Sequence, residues 1–249
     1  MIIDSYTEIF ADKKRILVIT AHPDDLELYC GGLVARLIAD GKEVRSVKVT
    51  SGDMGSRLEK ISSSELKSLR EIEDSASMRT LGISEDNNVY LHLPDAGVEN
   101  TVENIGKLAQ QIRLFKPELI ITHNPTDAVI RFDKYNNWFN HRDHRTTGQL
   151  TLDAAYPYAR DILFFPEQLE NQQAKSWSCV EFLIVDSYGH EDSVYFDVTE
   201  TIGKRVEAHA QHKSQYSQEE AQESADFFTK GWDPEGKKNY ETFRYIKAD

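Results

Sequence analysis

The stretch Ile16-Leu-Val-Ile-Thr-Ala-His-Pro-Asp-Asp-Leu-Glu27, continued by Leu28-Tyr-Cys-Gly-Gly-Leu-Val34, decides the fold. Its first part is an apolar run closed by turn residues, which predicts a buried strand; its second part predicts a helix. Between them stand His22, Pro23, Asp24 and Asp25. In open α/β sheets ligands bind at the carboxyl ends of the strands, and this turn places one imidazole and two carboxylates there. Pro23 stiffens the turn and has no N–H to satisfy. Adjacent carboxylates repel, so a positive partner is expected, and a divalent metal ion would serve. The competing reading makes Asp24 or Asp25 an N-cap and His22 an ordinary turn residue.

Working outward, residues 15–21 read as a strand, 27–40 as a helix stopped by Gly41, and 43–50 as a second strand in which Val44, Ser46, Val47 and Val49 set the pattern. A turn-rich loop, Ser51-Gly-Asp-Met-Gly-Ser56, follows. Leu66, Leu69, Ile72, Ala76 and Leu81 give residues 64–81 a helical period that ends at Gly82. A short strand over 88–93, a helix over 101–115 and a strand over 118–122 complete a β-α-β-α-β-α-β order. That alternation predicts a mostly parallel sheet with helices on both faces. Residues 123–140 read as a long loop whose Phe132, Tyr135, Trp138 and Phe139 either rim a substrate site or pack on the domain. A helix over 143–155, strands over 180–186 and 193–197 and a helix over 200–211 come next. The remainder, 217–249, is polar, with Phe227, Phe228, Trp232 and Phe243 as packing points. Without repeats or a linker, residues 1–249 read as one domain.

The chain has 249 residues and a formal net charge of −13, with 29 Lys and Arg against 42 Asp and Glu. So acidic a surface argues against nucleic acid, which is bound by neutralising phosphates, and against anionic membranes. No apolar segment approaches the roughly 18 residues of a membrane span, and the polar start lacks the features of a signal peptide. The expected compartment is the cytoplasm. Cys30 and Cys179 have neither metal-ligand spacing nor the density of a disulfide framework.

A second cluster, Asn140-His-Arg-Asp-His-Arg145, also follows a strand and loop. His141 and His144 are three residues apart and share a face at a helix start, with Asp143 beside them. Parallel topology brings both clusters to one sheet edge. Imidazole and carboxylate from one loop with imidazole from another give three ligands and an open position, the arrangement of catalytic zinc sites. Alone, His-x-x-His reads equally well as a solvated helix cap.

Together, Ala21-His-Pro-Asp-Asp-Leu-Glu27 with Gly31-Gly32 and His141-Arg-Asp-His144 closely resemble the two hallmarks of the PIG-L/LmbE-like family of metal-dependent N-acetylglucosaminyl deacetylases. Thr50-Ser-Gly-Asp-Met-Gly55, the run from Arg70 to Gly82, Leu93-Pro-Asp95 and His212-Lys-Ser-Gln215 resemble further family blocks, so the similarity spans about residues 14–215. The resemblance implies a Rossmann-like three-layer α/β fold with a mostly parallel sheet. It implies that His22, Asp25 and His144 hold Zn2+, and ferrous iron would suit the same donors. It makes Asp24 the general base toward metal-activated water, His141 a cation facing the oxyanion, and Asp143 the group that holds the His141 ring and keeps it protonated. Arg70 and Asp95 would contact sugar hydroxyls; for Arg70, a surface pair with Asp74 is the alternative. The position where some members carry a tyrosine is Phe139 here, so that donor is missing unless Tyr135 replaces it. His212 would orient the site or cap a helix end, and His92, His123, His190 and His209 read as structural. Family members are often multimers, which makes a homo-oligomer an open expectation.

The function this predicts is hydrolysis of the acetamide of an N-acetylglucosamine-type sugar or conjugate by a zinc-dependent amidohydrolase, with a small amino sugar as partner. The alternatives are hydrolysis of another small amide and a non-catalytic metal or sugar binder, although metal binding alone needs neither Asp24 nor His141. A dinucleotide site at Gly31-Gly32 fits poorly, because His-Pro-Asp-Asp fills the turn that phosphate would need and would repel it.

Overall fold

The computed structural model describes residues 2–56 and 60–248; the two ends of the expected 1–249 domain and residues 57–59 lie outside it. Strand β1 (Arg15–Thr20) lies inside the sheet because its side chains are apolar on both faces. Ile16 and Val18 enter one core while Leu17 and Ile19 enter the other. On one side β1 pairs in parallel with β2 (Glu43–Thr50), Ile16 opposite Val44, and β2 continues to β3 (Asn88–Leu93). On the other side it pairs in parallel with β4 (Leu119–His123), which continues to β7 (Glu181–Val185).

The first core is closed by α2 (Asp25–Ala39), through Leu26, Leu33 and Leu37, and by α3 (Ser63–Leu81), through Met78 and Leu81. The short α1 (Tyr6–Phe10) adds Ile9 and Phe10 to it. The second is closed by α4 (Val102–Phe115), with Ile105, Leu108 and Ile112, and by α5 (Arg142–Asp153), with Leu150. Helix ends follow local chemistry: Ser62 and Glu65 form a capping box at the start of α3, and Gly82 ends it at φ 94°. The three-layer, mostly parallel α/β expectation holds.

Two segments differ from expectation. Residues 123–140 are not one irregular loop: β5 (Val129–Arg131) and β6 (Asn137–Phe139) form an antiparallel hairpin, Val129 opposite Phe139. The polar region after residue 217 contains α7 (Gln218–Thr229) and β9 (Tyr240–Lys247). β9 runs antiparallel between β7 and β8 (Ser193–Asp197), so the sheet order is β3-β2-β1-β4-β7-β9-β8. Among the described residues no helix is long and apolar enough to cross a membrane.

The pair Gly31-Gly32 serves packing. Helix α2 bends at Cys30 (φ −143°), and the freed N–H groups of Gly32 and Leu33 donate to the Glu241 carboxylate of β9 at 2.9 and 2.8 Å. A Cβ on Gly32 would lie 2.8 Å from Val198 Cβ. An internal carboxylate therefore occupies the N–H groups that a phosphate would have needed.

Candidate active site

The sheet order reverses between β1 and β4, and the crevice outside their carboxyl ends is the topological switch point of the fold. Four loops meet there: 21–24 after β1, 51–56 after β2, 94–98 after β3, and the segment leading from the hairpin into α5. His22, Asp24, Asp25, Leu28, Met54, Gly55, Arg70, Asp95, Ala96, His141, His144, Gln215 and Tyr216 line one cavity of about 360 Å³. Seven of the eight residues expected from the sequence therefore converge; Asp143 lies buried behind the wall.

Asp24 takes up φ 100°, a left-handed conformation that is costly for a side chain other than glycine, and makes no side-chain cap. Asp25 points back instead: its Oδ2 accepts from the His22 N–H at 2.8 Å. His22 Nδ1 lies 3.4 Å from Asp25 Oδ2, and His144 Nε2 lies 3.2 Å from Asp25 Oδ1. Ring nitrogens of His22, His141 and His144 come within 4.8 Å of one another, as do the donors of Asp25, His123 and His144. Burial opposes the charge of Asp25, but His144 and His123 together hold its carboxyl well below the usual range. Burial likewise lowers His22 while Asp143, Asp25 and Asp95 outweigh it and raise it well above an ordinary imidazole.

A divalent cation fits this donor set. Four carboxylates, Asp24, Asp25, Asp95 and Asp143, crowd the crevice, and Arg70 is the one strong base lining it among the described residues. Imidazole nitrogens beside a carboxylate are the donors that zinc and ferrous iron prefer.

Arg70 is buried and not paired with Asp74. Its Nη1 donates to Gly52 O at 2.8 Å, and its Nη2 donates to Pro23 O at 2.6 Å and Asp24 Oδ2 at 2.8 Å. Asp74 instead pairs with Lys48 at 3.0 Å inside the protein. Burial pushes the Asp24 carboxyl up to about 6, with Arg70 pulling in the opposite direction. Asp95 accepts from the Met54 N–H at 2.8 Å and lies 3.2 Å from His22 Nε2. Burial disfavours its charge too, yet His22 and the N–H groups of Met54 and Ala96 hold its carboxyl at about 2.

Asp143 does not grip the His141 ring as expected. Its carboxylate accepts from the Ala96 and Val98 N–H groups at 2.6 and 3.2 Å and lies 3.6 Å from His22 Nε2. Only its backbone N–H meets His141, donating to Nδ1 at 3.1 Å as the cap of α5. Burial, His22 and His144 lower the His141 imidazole below its ordinary value, which favours the neutral ring. The physical reason is position: at the first turn of a helix the Asp143 side chain turns toward the loop after β3, where the Ala96 and Val98 N–H groups point at it.

His123, read as structural, belongs to the site. It ends β4 fully buried, lies 3.2 Å from Asp25 Oδ2 through Nε2, and stacks on His144 with centroids 4.0 Å apart and planes at 13°. The signal was its place at the carboxyl end of the central strand next to β1. His212 is buried too: its Nε2 lies 3.1 Å from Glu27 Oε1, while Ser214 binds Glu73 through N–H at 2.8 Å and Oγ at 2.7 Å. These contacts seat Gln215 and Tyr216 on the cavity wall. Of the hairpin aromatics, Phe132 stacks on Phe227 (4.7 Å) and Trp138 meets Phe228 (5.9 Å), so both pack, whereas Tyr135 and Phe139 are exposed and neither lines the cavity.

A doubly wound sheet with a histidine–aspartate centre at its switch point defines a small-molecule site of the kind that enzymes use. The family model described as PIG-L, GlcNAc-PI de-N-acetylase, matches residues 17–155, and the chain belongs to that family. It is 24% identical over 212 residues to a diacetylchitobiose deacetylase of Thermococcus kodakarensis, covering 85% of this chain and 74% of that protein. It is 27% identical over 164 residues to a 1D-myo-inositol 2-acetamido-2-deoxy-alpha-D-glucopyranoside deacetylase of a Mycobacterium species, and there spans about half of the relative's length (49%). Among solved structures, the N,N'-diacetylchitobiose deacetylase of Pyrococcus horikoshii, in complex with an inhibitor, superposes with a TM-score of 0.79 at 25% identity, over 96% of this chain and 85% of the other.

Proposed function

We propose that this protein is a zinc-dependent N-deacetylase that hydrolyses the acetamide of an N-acetylglucosamine-type sugar or its conjugate. The observation that carries the reading is the convergence, in one cavity at the switch point, of His22, Asp25 and His144 with a further carboxylate, Asp24, which is held by Arg70 at 2.8 Å. Relatives named as deacetylases of diacetylchitobiose and of a 2-acetamido sugar support the substrate class.

His22, Asp25 and His144 would hold the ion. When bound it would polarise the amide carbonyl and acidify water at the site. Asp24, fixed by Arg70 and raised by burial toward neutral pH, takes a proton from the attacking water. It then returns that proton to the departing nitrogen as the C–N bond breaks, leaving acetate and a free amine. His141 accepts the Asp143 N–H at Nδ1, so its Nε2 carries the hydrogen and can donate to the carbonyl oxygen as negative charge develops. Asp95, Gln215 and Tyr216 offer polar groups to sugar hydroxyls while Arg70 holds Asp24, and the cavity has the lower size of small-molecule sites, about that of one amino sugar.

The test is acetate release from a panel of N-acetylglucosamine derivatives by metal-stripped protein, with and without added zinc. Zinc-dependent release is expected, and Asp24→Asn should keep the metal but lose about 100-fold or more in turnover. No release from any member, or an Asp24→Asn variant as active as the unmutated chain, overturns the reading.

A further inference from the structure

Asp186 follows β7 directly, at the same sheet edge as the cavity but outside its lining. Nothing in the sequence around it, Val185-Asp-Ser-Tyr188, marks it as special. Three observations do. Its backbone lies at φ 54°, in the left-handed region that side chains other than glycine seldom enter, and the Asn124 side chain donates to its carbonyl at 3.1 Å. The residue is 1% exposed, yet no hydrogen bond of ordinary geometry reaches either carboxylate oxygen, and the groups facing it are the Tyr29 phenol and the His144 ring. Its Oδ2 lies 3.8 Å from Nδ1 of His144, within ion-pair reach but longer than a hydrogen bond.

A carboxylate buried without a well-formed hydrogen bond is costly, and such a group persists where a donor N–H or a positive charge faces it. The group placed to do so is the far side of His144. That ring directs Nε2 at Asp25, 3.2 Å away, which leaves Nδ1 facing the wall where Asp186 stands. Tyr29 closes the wall: its ring meets the edges of His144 and His123 at 6.1 and 5.7 Å, and burial followed by the charge of Asp186 keeps its phenol protonated. His22 shows the same design at the other end of the centre, where Asp95 and Asp143 hold its Nε2 from behind. Metal-bound histidines in general give their second N–H to a carboxylate, which fixes the tautomer and strengthens the ligand.

We propose that Asp186 is a positioning residue of the metal centre, fixing the His144 ring with Nδ1–H directed at its carboxylate so that Nε2 is free to bind the ion. Tyr29 orders that carboxylate. The inference rests on the proposed metal site, because an imidazole with nothing to bind at Nε2 needs no such orientation. It also gives a use to the left-handed backbone of Asp186, a strain of the kind that persists at functional sites.

The experiment measures metal binding directly, by competing zinc away from the protein with a chelator and by the visible absorption of the cobalt-loaded form. Asp186→Asn keeps the shape and removes the charge, and its zinc affinity should fall about 10- to 100-fold with a shifted cobalt spectrum. Tyr29→Phe should lose affinity in the same direction by a smaller factor. A purely structural role would lower the melting temperature and leave the cobalt spectrum of the folded fraction unchanged, which would overturn the inference. So would an Asp186→Asn protein with unmutated affinity. Should Asp186→Asn not fold, unmutated affinity in Tyr29→Phe is the overturning result. An unmutated chain that binds no zinc or cobalt would instead sink the metal site itself, so the two failures are distinguishable.

Discussion

His209, in α6 (Ile202–His209), has no exposed surface, and neither of its ring nitrogens is hydrogen-bonded. Burial holds its imidazole at about 4, with Glu27 and Asp25 pulling upward and Arg205 and His212 downward. In the unfolded chain the same ring titrates near its ordinary value. Between those two values the unfolded state binds the extra proton, so His209 contributes stability that is complete above about pH 6.5 and is lost as pH falls toward 4. The full effect is on the order of 3 kcal/mol. His209→Leu removes two unsatisfied nitrogens at similar bulk, so thermal unfolding of that variant should decline less between pH 7 and pH 4.5 than that of the unmutated protein; equal declines would contradict the assignment. Arg70 illustrates the other side of residue chemistry. Its two Nη groups donate to Gly52, Pro23 and Asp24, so its first effect on a substrate passes through the carboxylate it holds.

Helix α5 carries His144 and is capped by His141, and its approach to the sheet is set by one small residue. A Cβ on Gly148 would stand 2.4 Å from His123 O and 3.1 Å from Pro125 Cα, backbone atoms that have no free side chain to yield. This close approach seats α5 against the end of β4 and lets His144 stack on His123. Gly148→Ala should therefore cost roughly 1–3 kcal/mol in chemical denaturation, as overpacking does, and weaken the proposed zinc binding together with stability. Retained affinity at lowered stability would show that the centre tolerates movement of α5. The hairpin β5–β6 is held at the same edge by an aromatic cluster in which Phe132 also meets Tyr188 and Trp232 at 4.7 and 5.3 Å. Reading residues 123–140 as a loop missed this hairpin because each strand is three residues long and its partners lie far along the chain.

At the scale of the molecule, the last strand closes the structure that the first motif begins. Glu241 of β9 accepts from Gly32 and Leu33 of α2 and from Arg205 Nη1 of α6 at 3.2 Å, with both charged groups about 1% exposed. Glu241→Ala would leave the Arg205 guanidinium buried without its partner and two helix N–H groups unsatisfied, an expected cost of about 3–5 kcal/mol in denaturant unfolding. A loss below 1 kcal/mol would mean that water replaces the carboxylate. The sequence by itself determined the alternation of strands and helices from residue 15 to residue 122, because a doubly covered parallel strand must be apolar throughout and a helix must cap and stop. It also marked His22, Asp24, Asp25, His141 and His144 as candidates, because the two clusters together resemble the hallmarks of one family, although each alone reads as well as a helix cap. Only the tertiary structure decided that β9 enters the sheet, since its buried Glu241 and Thr242 hide the apolar pattern of a core strand and are satisfied by helices elsewhere in the chain. It alone gave Asp143 and Asp95 to His22 and brought His123 and Asp186 to the centre. Those assignments depend on which unpaired donor or charge lies within a few ångströms across the crevice, a relation that spacing along the chain does not encode.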